Sequence, residues 1–429
     1  MTQSEKLKIN IYPPQIEILK NNGDIMIIKI EDNITNESKP ENMYNNIISA
    51  NGNLNDILLK YKSDIINSLT KLISCSTTNP NTEFHLEKTF LCHDLPISKI
   101  YFNHQGNQIL TCSYDGNAIL WDRKQGNQIY TIKDHANTIN SAVFTKDDNL
   151  LLTGSFDNLA MLFSTTDGKR LKTFEGHDGE IVEVNINKEE KIFCTASMDT
   201  TSKIFDLENA TTILTLSGHD DVVFKASFND TSKNVLTGSY DKTCKLFDAK
   251  NGDVIFTFDE HTAEISNCFF SPKDNNIIIS TSFDGTSKVY DIRKENITLK
   301  TFDDHSNRQI ICADITNNGK YLATGGEDNT INVYNLENLE KIYKLNGHEK
   351  EINSLHFNFG DKVKYLLSGD GAGQTRIWDL KNGNCRQIIN STEPTELISC
   401  IFNEDNSDIL TADVDNVVKL YTNEIHINY

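Results

Sequence analysis

Along most of the chain, apolar and polar positions alternate in short runs, each closed by turn-forming residues. Residues 138–174 show the unit. Thr138–Phe144, Leu150–Ser155, Leu159–Phe163 and Lys169–Phe174 alternate with period two, and pairs such as Asp-Asn, Asp-Gly or Asp-Lys occupy the tight turns of such units. Successive side chains of a strand point to opposite faces, so each unit predicts four short strands running from an inner to an outer one. The first eighty-two residues read differently. Lys8–Tyr12 alternates like a strand and is broken by Pro13-Pro14. Ile16–Leu19 and Ile25–Ile30 flank Asn21-Asn22-Gly23-Asp24 and predict a β-hairpin, because Asn-Gly supplies the positive φ of a tight turn. After a polar loop, Leu54, Ile57, Leu58, Tyr61, Ile65, Leu69 and Leu72 fall at helical spacing and predict an amphipathic helix over Leu54–Ser74. The expected organisation is a small α+β domain with its linker over residues 1–82 and a repeat domain over residues 83–429. A unit as small as the first buries little apolar area alone, so it is expected to lean on the repeats and leave a cleft beside them.

The strand pattern has a period. His93, His135, His177, His219, His261, His305 and His348 lie 42 to 44 residues apart. Each precedes an aromatic residue by 28 to 30 positions: Trp121, Phe163, Phe205, Phe247, Tyr290, Tyr334 and Trp378, with Tyr421 continuing the series. A period of this length with histidine near one end and Trp-Asp near the other resembles the WD repeat. The fold class this implies is an all-β, eight-bladed WD40 β-propeller preceded by the small α+β domain. The last repeat runs out of residues for its outer strand, and Phe84–Leu91 is a spare strand just before the first. It is expected to complete the last blade, closing the ring.

Composition narrows the partners. Hydrophobic content of 38% with 9% aromatic residues can supply a core. The net charge is −20, and the first eighty-two residues, with eight Lys against nine Asp or Glu, contribute only −1 of it. The remaining −19 lies on the repeats, which disfavours nucleic-acid backbone as a partner and favours basic proteins or simple solubility. Nine scattered cysteines without a C-x-x-C pair predict buried, reduced thiols rather than disulfides or zinc. No apolar run has the length of a membrane span and the start lacks an apolar signal core, so a cytoplasmic protein without a membrane partner is expected.

The repeated polar residues could suggest chemistry. A histidine, a serine (Ser113, Ser155, Ser197, Ser239, Ser282) and an aspartate six residues before the aromatic (Asp115, Asp157, Asp199, Asp241, Asp284, Asp328, Asp415) recur together. A catalytic triad needs one site, whereas this set recurs around the ring, so the reading is structural: no enzyme and no cofactor or metal. Blade seven has Ala372 in place of the turn aspartate and Asp370 in place of the serine, and blade eight has no histidine, so the late blades are expected to be weaker or specialised. The residue before each turn aspartate is the better functional candidate. Tyr114, Phe156, Met198, Tyr240 and Phe283 would ring one mouth of the channel, and Glu180, Glu264, Glu351 and Glu396 stand just before the inner strands. Together they would form an apolar arc bordered by acid, a protein-binding surface unless the aromatic rings lie flat on neighbouring blades.

A narrower resemblance rests on Ile11-Tyr12-Pro13-Pro14-Gln15-Ile16 and on repeat wording such as residues 152–158, 196–203 and 236–246. In these the chain resembles the dynein axonemal assembly factors with WD repeats, the outer row dynein assembly protein sixteen family. The resemblance implies a non-enzymatic adaptor, cytoplasmic and ciliary, that links the outer-arm dynein complex to an intraflagellar transport subunit. It also implies that Tyr12, Pro13 and Pro14 contribute to the docking cleft. The alternative is a generic WD scaffold, such as a ubiquitin-ligase substrate receptor or a trafficking component.

Overall fold

A computed structural model of the protein describes residues 6–11, 14–19, 25–29, 83–91, 93–294, 297–360, 363–391, 395–423 and 425–427. Every regular element among them is a strand. Eight four-stranded antiparallel sheets follow one another from Ile97 onward and form an eight-bladed β-propeller, as the repeat period implies. Blade 1 comprises Ile97–Phe102, Gln108–Ser113, Ala118–Asp122 and Gln128–Ile132, from the channel outward. Blades 2 to 7 repeat this order. Blade 8 takes Leu397–Phe402, Asp408–Asp413 and Val417–Thr422 from one end of the chain and His85–Leu91 from the other.

A ninth sheet is separate. Lys6–Ile11, Pro14–Leu19 and Ile25–Lys29 form an antiparallel meander, with Leu19 opposite Ile25. Ile425–Ile427 pairs with the free edge of Lys6–Ile11, Leu7 facing Ile427. That strand therefore leaves the repeat domain to which residues 83–429 were assigned. The two compact units are residues 1–87 with 421–429, and residues 88–420. The helix expected over Leu54–Ser74, like Tyr12 and Pro13, lies outside the described residues; Pro14 opens the second strand.

The blades pack through apolar side chains that the period-two pattern turns towards a neighbour. Leu152, Leu162 and Phe174 of blade 2 meet Ile181, Phe193 and Phe205 of blade 3. Phe90, Leu410, Val418 and Leu420 of blade 8 meet Ile97, Ile109 and Trp121 of blade 1, so the ring is closed by the same kind of core that joins its other members. The tight turn between the second and third strands places one residue in the left-handed region. It is Gly116, Asn158, Gly285, Asn329, Gly373 or Asn416 in most blades, but Thr200 (φ 69°) in blade 3 and Lys242 (φ 73°) in blade 4. A β-branched residue is strained there. Thr200→Asn is expected to stabilise the protein by roughly 0.5–1 kcal/mol in urea unfolding, and Asn158→Thr to destabilise it by a similar amount.

The inner strands are joined around the channel by side chains that reach the backbone of the next blade. Each inner strand carries a β-bulge at its second residue, for example between Ile97 and Lys99 and between Ile352 and Ser354. Asn140 Nδ2 donates to Val182 O at 2.8 Å, and Asn353 Nδ2 to Leu397 O at 3.1 Å. In the opposite sense, Tyr101 Oη, Ser141 Oγ, Glu183 Oε2, Asp314 Oδ2 and Ser354 Oγ accept from Ala142, Val184, Ala226, Phe357 and Cys400 N–H groups. These bonds satisfy backbone donors on an edge that no strand pairs.

Two of the channel groups titrate in opposite directions. Burial pushes the Asp314 carboxyl up to about 7, and burial pushes the His356 imidazole down to about 4. Free values are about 3.9 and 6.5. As pH falls from 7 to 4 the folded state takes up a proton on Asp314 that the unfolded state does not, which adds stability. Over 6.5 to 4 the unfolded state protonates the histidine first, which removes stability. The two shifts therefore oppose each other in the native protein. His356→Phe is expected to leave a protein whose unfolding midpoint rises between pH 7 and 4, and Asp314→Asn one whose midpoint falls between pH 6.5 and 4; thermal melts across that range check both.

Candidate functional site

One end of seven of the eight blades is organised by a buried imidazole. In blades 1 to 7 the histidine preceding the inner strand sends Nδ1 to an aspartate carboxylate at 2.6–3.0 Å. Its Nε2 meets a hydroxyl at 2.6–2.9 Å: Thr111, Thr153, Thr195, Thr237, Ser280, Thr324 or Ser368. A carboxylate only accepts, so Nδ1 carries the proton and the hydroxyl donates to Nε2. Trp121 and Trp378 extend the chain by donating Nε1–H to the same hydroxyl at 3.2 and 2.8 Å. Where phenylalanine stands instead, as in Phe163, Phe205 and Phe247, its ring packs against the histidine at 6.2–6.4 Å.

This corrects the expected set in one respect. The hydroxyl that meets the imidazole is two residues before the serine, while the serine holds the turn: Ser113 Oγ donates to Pro96 O at 2.9 Å and accepts from Asp115 N at 3.0 Å. Blade 7 also departs from expectation. Asp370, not the missing turn aspartate, reaches His348 at 2.8 Å and accepts from the Ala372 and Gln374 N–H groups, so its network is complete. In blade 8, Asp413 accepts the turn N–H groups of Asp415 and Val417 without a histidine.

The aspartates are charged struts. Burial opposes ionisation of Asp199, but hydrogen bonds from His177 and Thr201 outweigh it and hold the carboxyl well below the usual range. Asp241 and Asp284 are held down in the same way by His219 with Thr243 and by His261 with Thr286. Such groups support the fold fully above about pH 4 and withdraw support below it.

The turn that each strut fixes carries the candidate binding residues. The residue before the turn aspartate donates its N–H to the carbonyl just before the inner strand. The pairs are Tyr114 with Pro96, Phe156 with Thr138, Met198 with Glu180, Tyr240 with Val222, Phe283 with Glu264, Glu327 with Gln309, Gly371 with Glu351 and Val414 with Glu396, at 2.8–3.0 Å. The structure thus brings the two sets of candidates together on one face. Met198 adjoins Glu180, and Phe283 adjoins Glu264. Thr138 links the first two blades, because its Oγ1 donates to Tyr114 O at 3.4 Å while its carbonyl accepts from Phe156.

Exposure separates the candidates. Tyr114 is 47% and Met198 39% exposed, whereas Phe156, Tyr240 and Phe283 are half-buried. Tyr240 stacks on Phe224 at 5.6 Å and approaches Phe283 at 6.5 Å. Burial, then Glu264 and Asp221, raises its phenol above the ordinary value. The packing alternative therefore holds for Tyr240 in part, and not for Tyr114. On blades 6 to 8 the face changes character. Glu327 is exposed, the Glu351 carboxylate lies against Gly371, where an added Cβ would come within 2.6 Å of Oε1, and Glu396 accepts from Asn353 at 2.9 Å. The apolar side chains run from Tyr114 to Phe283 on blades 1 to 5 and return with Val414 on blade 8, while carboxylates stand beside them on blades 3, 5, 6, 7 and 8 (Glu180, Glu264, Glu327, Glu351 and Glu396).

Sequence reasoning missed Phe224, Leu95, Ile398 and Val414. The last three, with Pro96 and Tyr114, line an apolar hollow of about 530 Å³ between blades 8 and 1. Val414 could have been found, since it occupies the register of Tyr114; Phe224 and Ile398 reach the face only because they are bulge residues. Among the described residues no His, Cys, Asp or Glu group could hold a metal ion, and no helix is long and apolar enough to cross a membrane. Cys112, Cys194, Cys244, Cys268 and Cys400 are buried free thiols.

Residues 124–388 match the Neurobeachin beta propeller domain, and residues 84–122 the WD domain, G-beta repeat. The chain belongs to the WD40-repeat β-propeller family. It is 29% identical over 142 residues, 33% of its length, to dynein assembly factor with WD repeat domains 1 of Danio rerio, covering 34% of that protein. It is 30% identical over 128 residues, 29% of its length, to target of rapamycin complex subunit wat1 of Schizosaccharomyces pombe, covering 39% of it. It is 25% identical over 113 residues, 26% of its length, to apoptotic protease-activating factor 1 of Danio rerio, covering 9% of it. The chain thus spans well under half the length of these relatives. The computationally designed Ika8 protein superposes with a TM-score of 0.67 at 22% identity, over 77% of this chain and 97% of that one, which shows the fold alone.

Removing Tyr240 forfeits two ring contacts, so Tyr240→Ala is expected to cost about 1–3 kcal/mol. Tyr114→Ala is expected to stay within about 0.5 kcal/mol of the native protein, as an exposed side chain should. Chemical denaturation of the two variants side by side checks the contrast.

Proposed function

We propose that the protein is a non-enzymatic docking adaptor, acting in the cytoplasm and cilium to link outer-arm dynein cargo to intraflagellar transport. The observation that carries the adaptor reading is the mixed face: apolar side chains from Tyr114 to Phe283, with Glu180, Glu264, Glu327, Glu351 and Glu396 among and beside them. A partner that offers apolar anchors flanked by Lys or Arg suits such a face, with the anchors giving affinity and the charges orientation. The repeated His-Asp-Thr sets speak for struts rather than catalysis, because Thr153, Thr195 and Thr237 are fully buried. The ciliary part of the reading is supported by the Tyr-Pro-Pro segment at residues 12–14 and by the similarity to a dynein assembly factor. A match of comparable extent to a target of rapamycin complex subunit favours the second reading, a WD scaffold outside the cilium.

Affinity capture from ciliated cells, before and during cilium regrowth, tests both levels. The native chain is expected to retain dynein-arm and transport-train subunits, and Tyr114→Ala with Met198→Ala to lose them while its melting temperature is unchanged. Recovery of neither class of subunit would remove the ciliary reading; full capture by the double variant would remove the face.

A further inference from the structure

Blade 1 is entered differently from the others. The two residues ahead of its inner strand are Leu95-Pro96. On each of the other seven blades at least one member of that pair is polar, as in Asn137-Thr138 or Lys350-Glu351. Proline also takes a backbone donor off the surface. Blade 8 continues the change: Val414 stands in the register that holds Glu327 on blade 6, and the bulge turns Ile398 to the same side. With Tyr114 these residues make the apolar hollow of about 530 Å³ between blades 8 and 1. Leu95 and Tyr114 are exposed, while Ile97 is buried. Ser98 also lines it, but its hydroxyl donates to Ile139 O. No charged side chain is among the lining residues.

The charges stand just outside. Asp94 precedes Leu95, Asp415 follows Val414, and Glu396 accepts the Val414 N–H through its carbonyl. All three side chains belong to exposed residues. Glu396 spends one oxygen on a neutral donor, Asn353. The nearest lysine along the strand, Lys99, lines the channel cavity instead. The hollow thus suits an uncharged group and its surroundings suit cations. Asp94 lies on the blade 1 side and Asp415 on the blade 8 side, so a chain with cations before and after its apolar group meets both.

We infer that this hollow takes one bulky aliphatic or aromatic side chain from a linear segment of a partner protein, with Lys or Arg on either side of that residue. The inference rests on the docking-face reading and names the subsite at which the partner is anchored. Full burial of one such side chain is worth roughly ten- to a hundredfold in affinity. The exposed carboxylates orient the segment and speed its arrival, and salt screens them.

The test is fluorescence anisotropy of the full chain with labelled peptides in which two arginines stand on each side of a central leucine, phenylalanine or alanine. The leucine or the phenylalanine peptide is expected to bind at least about tenfold tighter than the alanine one. Glutamine in place of the arginines is expected to weaken binding and to abolish its dependence on salt. Val414→Lys puts a long polar chain where blade 6 carries Glu327, so it is expected to fold, and to weaken the better peptide at least about tenfold. Leu95→Gln, at an exposed position, is expected to weaken it too and serves should Val414→Lys unfold. Leu171→Lys, on the exposed outer strand of blade 2, makes the same change of charge away from the hollow and is expected to bind as the native chain does. Equal binding of the leucine, phenylalanine and alanine peptides would overturn the inference, as would native binding by folded Val414→Lys and Leu95→Gln. Self-association of the native chain that Val414→Lys abolishes would give the hollow to a second copy and overturn it as well. In capture from ciliated cells, retention of partners by Val414→Lys alongside their loss from Tyr114→Ala with Met198→Ala would sink the hollow and spare the face.

Discussion

The buried hydrogen bond between an imidazole and an aspartate sets the geometry of this molecule. It joins the segment that enters a blade to the turn between that blade's second and third strands, as in His135 with Asp157 and His177 with Asp199. Both partners are largely withdrawn from water, so neither can be removed without leaving the other unsatisfied. The bond holds the turn, and the turn holds the residue just ahead of the aspartate. Repeated around the ring, this makes a face whose backbone is nearly invariant while its side chains differ from blade to blade. The protein can thus vary what it presents without varying how it is built.

Position matters more than residue identity in that arrangement. Blade 7 lost its aspartate at residue 372 and has one at residue 370, yet the carboxylate reaches the same imidazole. Phenylalanine replaces tryptophan in blades 2 to 4 at the loss of one N–H donor, and the histidine-to-hydroxyl bond persists without it. The hydrophobic slot is the stringent requirement, and the polar extension is dispensable.

Much of this was legible in the sequence because a propeller is periodic: the histidines, the aromatic positions and the alternation gave the number of blades, their strands and the face on which Tyr114 and Glu351 would stand. What escaped depended on departures from period two. A bulge re-aims one side chain per inner strand, and that is how Phe224 comes to stack on Tyr240 and Ile398 to line the hollow beside Tyr114. The imidazole's hydroxyl partner escaped as well, since threonine and serine alternate at strand ends and only geometry tells a strut from a turn cap. The channel pair Lys225 and Glu183 carries no motif; its two members meet only when neighbouring inner strands are brought side by side.

The composition of blade 8 bears on how the chain reaches its folded state. Its fourth strand precedes blade 1, and its first three follow blade 7. While the nascent chain is still on the ribosome, the flank of blade 1 formed by Ile97, Ile109 and Trp121 has only Phe90 to meet it, because Leu410, Val418 and Leu420 are made about three hundred residues later. Synthesis proceeds at some 5–20 residues per second, so that greasy flank stays open for tens of seconds, long compared with collapse of the earlier blades. A chaperone that occupies it until Leu410, Val418 and Leu420 emerge would meet a need written into the topology itself.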